Sequence, residues 1–190
     1  MNLRVVVVGV PGVGKTTIVE KLSRAIKGSR VVTFGTVMLE EGKRLRWIRH
    51  RDELRKLPVE KQKQLQRLTA THIARIKAKV LFVDTHLFIR TREGFWPGLP
   101  FEVVRALKPT HLILVEAEPK EILSRRQDDK TRYRDAATAK DLEGELSLAR
   151  SFLTVSSTLT GAPMLIASNR HGKSGEVAKG LAKILTEAAN

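Results

Sequence analysis

A glycine-rich segment near the start of the chain carries a lysine and a hydroxyl group at a defined spacing. The segment is Gly9-Val10-Pro11-Gly12-Val13-Gly14-Lys15-Thr16, and it matches G-x-x-x-x-G-K-[S/T] at every fixed position. Glycines let the backbone curl so that successive N–H groups point at phosphate oxygens, and the following helix presents its positive end to the same anion. In such a loop Lys15 reaches the β- and γ-phosphates, and the Thr16 hydroxyl ligates Mg²⁺. Residues 9–16 therefore predict a site for the phosphates of ATP.

A carboxylate at the end of a buried apolar run is the second candidate for this chemistry. Asp84 follows Val80-Leu81-Phe82-Val83, so it lies at the mouth of a predicted strand. Enzymes with a phosphate loop of this type need an acid near the phosphates to hold Mg²⁺, directly or through water. The simpler alternative is an aspartate that caps a turn or a helix. We predict Thr16 and Asp84 as the metal ligands.

Two clusters of basic residues contain more arginine than lysine. Planar guanidinium groups suit phosphate recognition, although arginine is also common on solvated surfaces. Phosphoryl transfer depends on positioning and charge stabilisation more than on a strong base. His86 is therefore interpreted as a hydrogen-bonding group and not as an acid or base. The clusters consist of Lys43, Arg44, Arg46, Arg49, Arg51, Arg55 and Lys56, and of Arg125, Arg126, Lys130, Arg132 and Arg134.

Apolar runs that alternate with amphipathic segments predict the elements that hold these residues. Runs of this kind are typical of buried parallel strands, and helices between them cover both faces of the sheet. The sequence therefore predicts an α/β fold in three layers, with the phosphate loop between its first strand and first helix. The predicted strands are Leu3–Val8, 31–34, Val80–Asp84, 112–115 and 164–167.

Two long polar stretches interrupt this alternation within a single predicted domain, residues 1–190. Residues 35–60 are interpreted as an insertion on the acceptor side, and residues 126–139 as a short lid. Long polar excursions in a compact domain are commonly functional. Both follow the carboxyl end of a strand, or the helix after it, and this is the edge where open α/β sheets bind ligands.

Composition narrows the remaining possibilities. The 190 residues are 42% hydrophobic and include no cysteine and five scattered histidines. A packed core is therefore expected, whereas disulfides and Cys-zinc sites are excluded and oxygen ligands for Mg²⁺ are favoured. No apolar run approaches the ~18 residues of a membrane span, and the first residues lack a secretory signal, so a cytoplasmic protein is expected.

The strong positive charge suggests a second class of function. The formal net charge is +15, and the pI near 10.6 is typical of proteins that bind nucleic acids. An ATP-dependent protein associated with RNA or DNA is therefore an alternative. The sequence carries no recognition-helix motif, RNP-type aromatic pair or basic tail, so nucleic-acid binding is expected to be secondary. The chain is also short for a helicase or AAA-type core.

Several segments beyond the phosphate loop resemble the archaeal type of adenylate kinase. This resemblance implies a P-loop NTPase fold with a five-stranded parallel sheet, the reaction ATP + AMP = 2 ADP with Mg²⁺, and a homotrimer. A kinase for another nucleoside monophosphate stays open, because the contacts that select the base are not visible in the sequence. The segments are Phe34-Gly35-Thr36-Val37-Met38, residues 51–62, Asp84-Thr85-His86 with Ile89-Arg90-Thr91, Pro97-Gly98-Leu99-Pro100, and residues 116–120 running into Ser124-Arg125.

The same resemblance implies roles for individual residues. The phosphates of ATP would lie on Gly9–Thr17, so Thr17 would join the motif residues. AMP would contact Gly35, Thr36, Met38, Arg51, Arg55, Asp84, His86 and Arg90. The catalytic set would be Lys15, Arg90, Arg125, Arg132 and Arg134, with the last three closing over the transferring group. Two positions depart from the family pattern. Relatives often have Gly-Asp where this chain has Gly35-Thr36, and often a basic lid residue where it has Asp128.

Overall fold

The predicted apolar runs form a five-stranded parallel sheet in the computed structural model, which describes residues 2–91, 94–128 and 138–189. The strands are β1 (Leu3–Val8), β2 (Ser29–Thr33), β3 (Val80–Asp84), β4 (Phe88–Thr91), β5 (Gly94–Pro97), β6 (His111–Glu116) and β7 (Met164–Ser168). The order of the strands across the sheet is β2-β3-β1-β6-β7, and β4 and β5 form a separate hairpin. The predicted α/β fold is confirmed and all five predicted strands are present, but Phe34, predicted to end the second strand, is the first residue of the following helix.

The three central strands are buried along nearly their whole length, which explains their continuous apolar sequences. Their register aligns the carboxyl ends. Val7 lies beside Asp84 of β3 and beside Ile113 of β6, and the Thr85 amide donates to the Val7 carbonyl (3.1 Å). The segment after β1 therefore begins next to the carboxylate that ends β3.

Helices cover both faces of the sheet, as predicted. Helix α1 connects β1 to β2 at one edge of the sheet, whereas the later helices connect strands in the opposite direction across the sheet. Because these crossovers are right-handed, α1 lies on one face of the sheet and α3, α4 and α6 lie on the other. Helix α7 packs against α1. The helices are α1 (Lys15–Ala25), α2 (Phe34–Arg44), α3 (Val59–Ala74), α4 (Phe101–Leu107), α5 (Pro119–Asp128), α6 (Ala139–Thr160) and α7 (Ser174–Ala189), with a 3₁₀ helix at Arg51–Lys56. In the described part of the chain, none of them is long and apolar enough to cross a membrane.

The hairpin of β4 and β5 was not predicted. It contains the Ile89-Arg90-Thr91 segment, and the Phe88 and Phe95 rings meet edge to face at 5.0 Å. After the hairpin, the Gly98 amide donates to the Leu87 carbonyl (2.7 Å) and anchors the predicted corner at residues 97–100. Both strands are short and partly exposed, so neither shows the continuous apolar run by which the central strands were recognised.

The two polar stretches predicted as insertions, residues 35–60 and 126–139, each begin and end within a helix. Residues 35–60 contain most of α2, the 3₁₀ helix and the start of α3. Of the predicted lid, residues 129–137 lie outside the described residues, between the end of α5 and the start of α6. Helix α6 begins with a capping box, in which the Thr138 hydroxyl accepts from the Asp141 amide (3.1 Å) and the Asp141 carboxylate accepts from the Thr138 amide (2.8 Å).

Candidate functional site

The glycine-rich segment forms the loop between β1 and α1. Two positions in the second half of this loop have backbone conformations that favour glycine. Gly12 and Gly14 have φ angles of 97° and 83°, which disfavour other residues. A Cβ atom at Gly14 would also lie 2.4 Å from Nδ2 of Asn169. Gly14 is the N-cap of α1, and the first turn has neither a side-chain cap nor an acidic residue. The amides at this helix start are therefore available to an anion.

Lys15 and Asp84 form a buried ion pair at the start of α1. Their side chains are only 9% and 11% exposed, and the Lys15 ammonium donates to a carboxylate oxygen of Asp84. Thr16, the other predicted metal ligand, is exposed in the first turn of α1. The predicted phosphate lysine and the predicted metal carboxylate are thus adjacent.

Six of the predicted site residues line one cavity of about 110 Å³ beside this ion pair. They come from the segments that follow β1, β2 and β3, which all end at the same edge of the sheet. A Cβ atom at Gly35 would lie 3.1 Å from the Arg51 guanidinium, so the two predicted acceptor contacts are neighbours. The six residues are Lys15, Gly35, Met38, Arg51, Asp84 and His86.

The remaining predicted acceptor and lid residues are not all positioned by the structure. Thr36 is exposed in the first turn of α2 and does not line the cavity. Arg55 lies in the 3₁₀ helix and Arg90 in β4, where only their backbones are described. Arg132 and Arg134 lie outside the described residues. Their roles stay predictions.

His86 lies beside the phosphate loop. Its Nδ1 atom is 3.4 Å from the Gly9 carbonyl oxygen, and the residue also lines the cavity. This position supports the interpretation of His86 as a hydrogen-bonding group at the strand edge.

Arg125 contacts the back of the phosphate loop. Its Nη1 donates to the Val13 carbonyl (3.1 Å), and its Nη2 donates to the Asn169 carbonyl (2.9 Å) and to Glu121 (3.3 Å). The guanidinium is therefore engaged with protein oxygens. Its predicted role above the transferring group stays a prediction.

Two residues that were absent from the predicted site also hold the phosphate loop. Arg126 Nε donates to the Pro11 carbonyl (2.9 Å), and its Nη2 contacts the Glu145 carboxylate (3.4 Å). The Asn169 amide group donates to the Val13 carbonyl (2.8 Å). The sequence contained a signal for each, because Arg126 belongs to the second basic cluster and Asn169 follows the carboxyl end of β7.

A polar cluster joins the two helices on the acceptor side of the cavity. One oxygen of the buried Glu41 carboxylate contacts His72 Nδ1 (2.6 Å), and the other accepts from Arg44 Nη2 (2.8 Å). These partners, His72 first, hold the pKa of Glu41 below its usual value. Glu41 and Arg44 lie on α2 and His72 on α3, so the cluster fixes the two helices that carry Met38 and Gln66 into the cavity lining.

A phosphate loop after β1, a carboxylate at the end of the neighbouring β3 and helices on both sides of a parallel sheet define a P-loop phosphotransferase. Comparison with known proteins agrees with this class. An adenylate kinase of Methanocaldococcus jannaschii is 43% identical over 174 residues, which cover 89% of this chain and 91% of the relative. An adenylate kinase of Methanopyrus kandleri is 39% identical over 182 residues, covering 94% and 95%. A family model described as an AAA domain matches residues 8–143.

The chain belongs to the adenylate kinase family and to the AAA-domain family that this model describes. The predicted resemblance is thereby confirmed, whereas the expectation that the chain is too short for an AAA-type relationship is wrong. Among solved structures, a shikimate kinase from Bacteroides thetaiotaomicron is similar with a TM-score of 0.64 at 11% identity, covering 97% of this chain and 98% of that one. At this identity the likeness concerns the fold alone.

Proposed function

We propose that the protein catalyses the reversible, Mg²⁺-dependent transfer of the γ-phosphoryl group of ATP to AMP, which yields two molecules of ADP. One observation carries the proposal. The cavity beside the phosphate loop joins Lys15 and Asp84, the predicted donor-side groups, to Gly35, Met38 and Arg51 on the acceptor side. The identity to relatives named adenylate kinase supports AMP as the acceptor.

On the donor side, the chain supplies oriented amides and one ammonium. Backbone N–H groups of the phosphate loop and of the start of α1 bind the phosphates of ATP, and the first turn of α1 has no side-chain cap that competes for them. Lys15 turns from Asp84 to the β- and γ-phosphate oxygens when the nucleotide enters. The buried surroundings of Lys15 exclude water and strengthen its attraction for the charge that develops during transfer.

Mg²⁺ would be held by the Thr16 hydroxyl and by Asp84, directly or through water. No group of three or more His, Cys, Asp or Glu side chains in the described ranges could hold a metal ion by itself. This fits Mg²⁺, which is bound by few protein ligands and by the phosphates of its substrate. When bound, the ion neutralises negative charge on the phosphate oxygens.

On the acceptor side, Arg51, Arg55 and Arg90 bind the phosphate of AMP. The proximity of Arg51 to Gly35 supports this assignment, because a glycine leaves the guanidinium room to approach a ligand. The cavity of about 110 Å³ is smaller than the ~300 Å³ of typical ligand sites, so α2 and the segments around it have to move apart for AMP to enter. Arg125, Arg132 and Arg134 then close over the transferring group.

The proposal extends to assembly and location. A homotrimer is supported by the family resemblance and by four exposed apolar side chains, Val155 and Leu159 on α6 and Met164 and Ile166 on β7. Exposed apolar surface of this kind favours contact with another subunit. The proposed location is the cytoplasm, where ATP and AMP are interconverted. Light scattering during size-exclusion chromatography measures the subunit number.

One assay tests the proposed reaction against its alternatives. ADP formation from ATP is measured with AMP, CMP, UMP, GMP and dTMP as acceptors, with and without single-stranded RNA or DNA. We expect AMP to be the preferred acceptor and turnover to be insensitive to polynucleotide. A clear preference for a non-adenine acceptor contradicts the proposed substrate. Turnover that depends on polynucleotide indicates the nucleic-acid alternative.

A further inference from the structure

A second cavity, here called the basal cavity, opens at the edge of the sheet opposite the phosphate loop and has a volume of about 520 Å³. Its lining includes Leu3 at the start of β1, Ala78 just before β3 and Thr110 just before β6. A strand of six residues rises about 20 Å, so the basal cavity is separated from the phosphate loop by the full height of the sheet. It is therefore no part of the site described above.

The basal cavity is lined by four cationic side chains and by no acidic residue of the described chain. They are Arg4, Arg75, Lys77 and Lys108. The structure describes no hydrogen bond or ion pair for the side chains of Arg75, Lys77 or Lys108, all three of which are exposed. Four positive charges around one concavity create a strongly attractive potential for an anion.

Arg4 is fixed in the cavity wall without a carboxylate partner. Its Nη1 donates to the Leu107 carbonyl (2.6 Å) and its Nη2 to the Ala74 carbonyl (2.8 Å), at the last residues of α4 and α3. Each helix end carries about half a negative charge, so the two ends together balance Arg4 approximately. The charges of Arg75, Lys77 and Lys108 remain without a fixed counterpart in the described structure.

Lys108 reaches the cavity from a backbone conformation that is unusual for lysine. It follows α4 with a φ of 49°, in the left-handed region where glycine is the favoured residue. Its amide still donates to the Val104 carbonyl (3.2 Å) and closes the helix. Strained residues concentrate at ligand sites, and this one is a cation on the rim of the basal cavity.

We propose that the basal cavity binds a compact anion with two or more phosphate groups, such as inorganic pyrophosphate or the phosphate tail of a nucleotide. Its volume falls within the ~300–1,000 Å³ of small-molecule sites, and arginine with lysine is the set of side chains that binds phosphates. A concavity of this size suits a short ligand better than a nucleic-acid strand, which needs an extended groove. Part of the excess positive charge of the chain would then serve to bind a ligand outside the catalytic cavity.

Amide NMR spectra test this site separately from the phosphate loop, because each resonance reports on its own residue. Pyrophosphate is titrated into the full chain, and ADP is titrated in a parallel experiment. We expect saturable shifts at Arg4, Lys77 and Thr110, independent of those at residues 9–17. Shifts with pyrophosphate alone indicate that the free anion is bound, whereas shifts with both ligands indicate recognition of the shared diphosphate.

A matched pair of variants tests the role of the cations. The triple variant R75A/K77A/K108A removes three charges from the cavity, whereas K140A/K179A/K183A removes three exposed charges from α6 and α7. Because each removed cation takes away part of the attraction for the anion, we expect the first variant to bind pyrophosphate about tenfold more weakly at the basal cavity. The control variant is expected to bind like the wild type.

Three results overturn the proposal. One is the absence of saturable shifts around the basal cavity at millimolar pyrophosphate. Another is an equal loss of affinity in both triple variants, which indicates nonspecific attraction. The third is a response of these amides to single-stranded RNA but not to pyrophosphate, which indicates a nucleic-acid surface.

Discussion

The buried pair of Lys15 and Asp84 allows a substitution whose effects on stability and on catalysis can be measured separately. In Lys15→Met the side chain keeps its approximate length but loses its charge, and Asp84 is left as a buried carboxylate. In general, two unit charges about 4 Å apart attract each other by about 4 kcal/mol at an effective dielectric constant of 20. Removing one partner of a buried pair typically costs 3–5 kcal/mol, and side-chain exposures of 9% and 11% place this pair in that regime.

Urea denaturation of four proteins measures this energy. The wild type is compared with Lys15→Met, with Asp84→Asn and with the double variant. We expect each single variant to lose about 3–5 kcal/mol of unfolding free energy, and the double variant to lose much less than the sum, because it contains no unpaired buried charge. ADP formation is expected to fall by orders of magnitude in every variant that lacks Lys15, including the double variant.

Two outcomes contradict this reasoning. If the losses of the two single variants add in the double variant, the ion pair contributes no coupling energy and the charges are effectively solvated. If Lys15→Met retains near-normal turnover, Lys15 is not the phosphate ligand, and the assignment of the donor site fails with it.

Two further predictions concern residues at opposite ends of the strands, Asn169 just after β7 and His111 at the start of β6. Asn169→Ala removes one of the two donors to the Val13 carbonyl, and Arg125 remains as the other, so we expect a loss of about 0.5–1.5 kcal/mol in urea unfolding. We also expect a KM that rises more for ATP than for AMP; equal changes in both KM values contradict a role at the phosphate loop. Burial lowers the pKa of His111, so the unfolded chain binds a proton at higher pH than the folded chain. Wild-type unfolding free energy is therefore expected to decrease as the pH falls through about 6.5, and His111→Phe to weaken this dependence; an unchanged pH profile in the variant contradicts the assignment.

The central sheet and the donor site could be predicted because their signals are local in sequence. Strands buried on both faces are continuously apolar, and the glycine-lysine pattern and Asp84 adjoin two of them. The convergence of Gly35, Arg51 and His86 with Lys15 also follows from the sequence, because the segments after parallel strands meet at one edge of the sheet.

Contacts to backbone carbonyls over long sequence distances could not be predicted. Arg125 was predicted to contact the transferring phosphoryl group, but it donates to the Val13 carbonyl, and Arg126, which was not assigned to the site, donates to the Pro11 carbonyl. Every residue has a backbone carbonyl, so the sequence does not indicate which one accepts such a bond. The hairpin of β4 and β5 was missed because Ile89 and Phe95 are 40% and 41% exposed and give no clear apolar pattern. The cations of the basal cavity come from three separate regions, which only the fold brings together.

The hydrogen bonds behind the phosphate loop have a consequence for the design of variants of this enzyme. Val13 is held by Arg125 and by Asn169, and Glu121 accepts from the His171 amide (2.8 Å), so three separate chain segments behave as one stiff block. Mutations there disturb several segments at once. On the acceptor side, the Glu41 carboxylate connects α2 to His72 of α3 without lining the cavity. Variants with altered acceptor preference should therefore be sought along α2 and α3, where side chains can be exchanged without weakening the binding of ATP.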